Sequence, residues 1–65
     1  MTYETAMQAI AVSRHHGKTT SCKRTPQNIV VLLDAASEVW TSGGLEHFEC
    51  TERGDEWTVT IEVQQ

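Results

Sequence analysis

Residues 57–64 alternate apolar and polar side chains: Trp57, Val59, Ile61 and Val63 against Thr58, Thr60, Glu62 and Gln64. That period of two is the mark of a half-buried strand. Gly54-Asp55 stands just upstream, a two-residue loop with glycine first, which favours a type II′ hairpin turn. Setting Arg53 opposite Glu56 then fixes every other pair. Phe48 faces Ile61 and Cys50 faces Val59 on the apolar side, while Thr51 meets Thr58, Glu49 meets Thr60 and His47 meets Glu62 on the other. One register satisfies both faces, and a slip of one residue would turn every apolar side chain into water. A two-stranded hairpin is marginal alone in water, so its apolar face needs a cover.

The cover is sought upstream. Thr25-Pro26 is a helix start: proline pushes its predecessor toward extended geometry, and itself suits the first helical position, where no N–H is needed. From there Ile29, Leu32, Leu33, Ala36, Val39 and Trp40 fall within about 120° of one another on a helical wheel. The helix ends at Ser42-Gly43-Gly44. Val31 and Ala35 fall outside this stripe, on the side of Asp34 and Glu38. An earlier helix is expected from Tyr3 to about His16, with Thr2 as N-cap and a stripe of Tyr3, Ala6, Met7 and Ile10 that Arg14 continues. Gly17 can supply the left-handed residue that closes it. Residues 17–25 lack apolar periodicity and read as a polar connection, one that admits a short edge strand through Thr19–Cys22. The expected fold is therefore α+β, two helices followed by a C-terminal antiparallel β-hairpin packed on them (α-α-β-β). Residues 1–65 form one small domain, since a chain of this length supports a single core.

The charge is uneven. Four cations against Glu4 leave residues 1–28 at +3, while Arg53 against eight carboxylates leaves residues 29–65 at −7, for a net −4. No apolar run approaches the roughly 20 residues that span a bilayer, and no charged segment leads into a hydrophobic stretch as in a signal peptide. A cytoplasmic protein without membrane association is expected. Cys22 and Cys50 read as free thiols, because disulfide-dependent domains of this size carry more cysteines.

Catalytic and metal chemistry find little footing. His15, His16, His47 and the two cysteines lack the paired spacings of a zinc site, and His47 and Cys50 point to opposite faces of their strand. Cys22 reads as the exposed thiol, with Lys23 and Arg24 beside it to lower its pKa, but no orienting base accompanies it. Gly17-Lys18-Thr19-Thr20 follows a helix and lacks the upstream glycine of a phosphate-binding loop. No enzymatic activity, cofactor or metal is expected.

Two charged surfaces are candidates for binding. Asp34, Glu38, Glu46, Glu49 and Glu62 form a candidate acidic face for another protein, and the hairpin edges can accept a strand. Arg14, Lys18, Lys23 and Arg24 form a candidate basic patch for nucleic acid, although a pI near 5.1 is a poor electrostatic footprint for that role. The expected function is a non-enzymatic protein-interaction or regulatory domain, with a homodimer open, and nucleic-acid binding through residues 14–24 is the alternative.

Overall fold

The computed structural model describes residues 1–63; Gln64, counted above in the alternation, lies outside them. The elements run β1 (Thr2–Tyr3), α1 (Ala6–His16), β2 (Thr20–Lys23), α2 (Pro26–Trp40), β3 (Glu46–Arg53) and β4 (Glu56–Val63). The strands form one mixed sheet in the order β1-β2-β4-β3, with β1 and β2 parallel and the other neighbours antiparallel. The class remains α+β, but the expected α-α-β-β order with a separate terminal hairpin is wrong. β3 and β4 do pair in the anticipated register from Arg53–Glu56 to His47–Glu62. β4, however, is an interior strand, because β2 covers its other side.

Of the two added strands, β1 is unexpected, while β2 falls where the sequence admits a short edge strand through Thr19–Cys22 but lies inside the sheet. In β2, Thr20 and Cys22 are buried while Lys23 points out, so the segment does alternate. Its inward threonine hides that pattern from a hydropathy reading. The Thr20 hydroxyl is satisfied indoors, donating to the Ala9 carbonyl at 2.7 Å, which makes the burial tolerable. Once β2 exists, Thr2 and Tyr3 can pair alongside Ser21 and Cys22. Helix α1 therefore starts later than expected, at Ala6, and is capped by Thr5 in place of Thr2, the Thr5 hydroxyl accepting from the Gln8 N–H.

The buried faces of both helices also shift. On α1, Ala6, Ala9 and Ser13 are fully buried and Ile10 nearly so, whereas Met7 is exposed. A stripe this small lets α1 lie close on β2 and β4. Its C-terminus is as expected, with Gly17 at φ 66° and its N–H donating to the Ser13 carbonyl. On α2 the Thr25–Pro26 start is found, but the inward side is Asn28, Leu32, Ala35 and Val39, with Val31 packed against the core. Ile29, Leu33 and Trp40, expected in the core, lie outside it. The core is Ala6, Ala9, Ile10, Cys22, Leu32, Ala35, Val59 and Ile61.

Asn28 ties three elements together. Its Oδ1 accepts from the Ala6 N–H at 2.9 Å, at the first turn of α1. Its Nδ2 donates to the Glu4 carbonyl at 3.0 Å and the Lys23 carbonyl at 2.7 Å. A buried amide with all these groups met fixes where α1 begins, β2 ends and α2 begins.

Candidate docking surface

The five acidic candidates do not share a face. Asp34 and Glu38 line a shallow cleft between the helices, with Met7, Ile10 and Arg14. Glu46 sits on the helix side of β3, where its carboxylate accepts from Arg14 Nε at 2.9 Å. Glu49 and Glu62 lie on the opposite, helix-free face, which pairs them with Thr60 and His47. That face is polar throughout. Thr2, Ser21, Thr58 and Thr51 form one row across all four strands, and the Thr51 and Thr58 hydroxyls bond to each other.

The basic candidates are divided as well. Arg14 is held by Glu46 near the C-terminus of α1. At the other end of β2, Lys23 pairs with Glu4 at 2.8 Å and Arg24 with Glu52 at 2.6 Å. Arg24 also donates to the Gly54 carbonyl and lies over the Trp57 ring, 5.5 Å from its centroid. Among the described residues, Lys18 is the one member of this set outside an ion pair.

Cys22, read from the sequence as an exposed thiol, is fully buried. Burial, with the nearby Cys50 thiol adding to it, pushes its pKa up, the reverse of activation. Lys23 and Arg24 turn instead to carboxylates on other elements. Cys50 is half-buried and its thiol is also pushed up by burial. Among the described residues no group of three or more His, Cys, Asp or Glu side chains could hold a metal ion, and no helix is long and apolar enough to cross a membrane.

The most distinctive surface was read from the sequence as core. Leu33 is 66% exposed, Trp40 88% and Ile29 38%, a ridge along the side of α2 that faces the outer strand β3. Beneath Ile29 and Leu33 runs an apolar trough of about 140 Å³ lined by Ile29, Leu32, Leu33, Ala36, Phe48, Cys50 and Trp57, and Trp40 stands at its end, beside Glu46 and Phe48. Trp57, in the trough wall, has a buried Nε1 with no hydrogen-bond partner among the described residues. A signal was present in the sequence. Ile29-Val30-Val31-Leu32-Leu33 is five consecutive apolar residues in a helix, and at 3.6 residues per turn these circle the whole axis. No single packing face can bury all of them.

The trough borders a free strand edge, because β3 is outermost in the sheet. Its ladder phase follows from two observations. The tight turn, with Gly54 at φ 61° and Asp55 at negative φ, makes Arg53–Glu56 the hydrogen-bonded closing pair. Pairs then alternate, so Phe48–Ile61 is a pair whose backbone groups point away from each other. Accordingly the Ile61 N–H donates to Ser13 Oγ at 2.8 Å, away from β3. Glu46, Phe48, Cys50 and Glu52 thus direct their N–H and C=O groups outward, under the α2 ridge.

No family model matches the chain, and neither a curated protein nor a solved structure does.

Proposed function

We propose that the chain is a non-enzymatic protein-binding domain whose docking surface is the trough between α2 and the β3 edge. The observation that supports this best is the ridge of Ile29, Leu33 and Trp40, left in water beside an open strand. Exposed apolar side chains scattered singly need no explanation, but a contiguous row flanking a groove marks an interaction site. Tryptophan is also among the residues that most often carry binding energy at interfaces. The acidic residues take a secondary part here, with Glu49 bordering the open edge. The nucleic-acid alternative has less support, since Arg14, Lys23 and Arg24 are each engaged by a carboxylate.

The test is affinity capture from the native host, comparing the wild-type chain with the Leu33→Ser/Trp40→Ser double variant. A defined protein retained by the first and lost by the second is the expected result. Equal capture by both, or loss only on reversing the charges of Lys18, Lys23 and Arg24, refutes the reading.

A further inference from the structure

We infer that the occupant of the trough is an extended polypeptide segment that joins β3 as a fifth strand, with apolar side chains at alternate positions and a Lys or Arg at the intervening position beside Glu49. This rests on the protein-binding reading and names the partner's chemistry. The backbone of β3 supplies the first part of the argument. Four of its eight residues, Glu46, Phe48, Cys50 and Glu52, direct N–H and C=O groups to the outer side, where no described strand pairs with them. An added strand would satisfy them, the mode in which main-chain bonds give affinity and alternate side chains give specificity.

The two faces of the sheet dictate the side chains. Positions of an incoming strand that turn toward the helices enter a space bounded by Ile29, Leu33, Ala36 and Phe48, so they must be apolar. The intervening positions emerge on the helix-free face beside Glu49, with Glu62 one strand further in. Glu49 is 66% exposed, and among the described residues its one ion-pair partner is His47, which is charged only when protonated. Glu46 and Glu52, by contrast, already have arginines. A Lys or Arg next to Glu49 gains a partner there, whereas a carboxylate would be repelled.

Helix placement argues against a second copy joined antiparallel at this edge. α1 lies over β2 and β4, and α2 packs against α1 and against β3. Helices pack about 8–10 Å apart, close to two strand spacings of about 4.8 Å, so α2 stands over the outermost strand. Antiparallel pairing of β3 with β3 of a second molecule keeps both helix layers on one face and would bring the two α2 helices within a few ångströms. They would collide. A bare strand, carrying no helix above it, fits.

The experiment selects a displayed random-peptide library on the wild-type chain and counter-selects on the Leu33→Ser/Trp40→Ser variant. Selected peptides are expected to carry apolar residues at alternate positions, with Lys or Arg at one of the intervening positions. Bound to the full chain, a synthetic copy should slow amide exchange at Phe48 and Cys50 by tenfold or more, and Glu49→Lys should weaken it roughly five-fold at low salt. Selected peptides with helical i, i+3, i+4 periodicity, or unchanged exchange at Phe48 and Cys50, overturn the inference and leave the protein-binding reading standing. So does a wild-type dimer in sedimentation that Leu33→Ser dissociates. Peptides that bind regardless of Leu33 and Trp40 overturn both.

Discussion

Ser13 Oγ accepts the Ile61 backbone N–H at 2.8 Å, linking a helix to the strand beneath it across 48 residues of chain. β2 begins at Thr20, opposite Val59, so it is too short to reach the next outward-facing N–H of β4. The helix side chain takes the place of the missing strand residue. Both residues are fully buried, so water cannot stand in.

Ser13→Ala should therefore cost more than a typical hydrogen bond. It leaves a buried donor unmet, a penalty of about 1–3 kcal/mol. Urea unfolding of the variant should show a lower midpoint with an unchanged slope, and the Ile61 amide should exchange faster than its neighbours.

Asn28→Ala should be the most damaging single polar substitution, because it strands the Ala6 N–H and removes a donor from both the Glu4 and Lys23 carbonyls. About 3 kcal/mol is expected from the orphaned groups together. Asn28→Asp keeps the acceptor for Ala6 but sets a carboxylate against two carbonyl oxygens, so it should restore little at neutral pH. Thermal unfolding of the two variants beside wild type is the measurement.

Leu33→Ser and Trp40→Ser should leave stability within about 0.5 kcal/mol of wild type, as substitutions at exposed positions do. Phe48→Ala, by contrast, removes a side chain packed against the core and should destabilise clearly. Equal losses at Leu33 and Phe48 in denaturant melts would mean that the ridge belongs to the core.

Trp57→Phe should be nearly neutral, within about 1 kcal/mol, despite the loss of ring area. The substitution removes the buried indole N–H that has no partner, and a group left unpaired in that way costs about 1–3 kcal/mol. Chemical denaturation reports the balance, and a loss comparable to that of Phe48→Ala would imply a partner for Nε1.

Both thiols should make stability fall at alkaline pH. Burial disfavours the thiolate, so each cysteine titrates higher in the folded chain than the ordinary 9.0. Above that value the folded state holds more protons than the unfolded one, and unfolding free energy declines as pH rises. The contribution is complete below pH 9.0. Replacing both cysteines with alanine should flatten the decline, and in the native wild type a thiol reagent should reach half-buried Cys50 before Cys22.

What local sequence determined is what local forces decide. Thr25-Pro26 starts a helix because the proline ring and a threonine cap act within a few residues. Gly17 and Gly54 take positive φ because no side chain opposes it. The β3–β4 register follows from a two-residue turn and one alternating pattern. Only the tertiary structure decided the rest. β1 is two residues long and pairs with a strand far along the chain, through backbone groups that hydropathy does not record. β2 hides its inward side behind Thr20, which is acceptable there because Ala9 of α1 offers a carbonyl. The buried face of α2 was open as well, since its five-residue apolar run offers more than one. The alanines and serine of α1 settled it: they let α1 lie close on β2 and β4, α2 packed against α1 and β3 with Leu32, Ala35 and Val39 inward, and Leu33 and Trp40 on the other side of α2 were left in water.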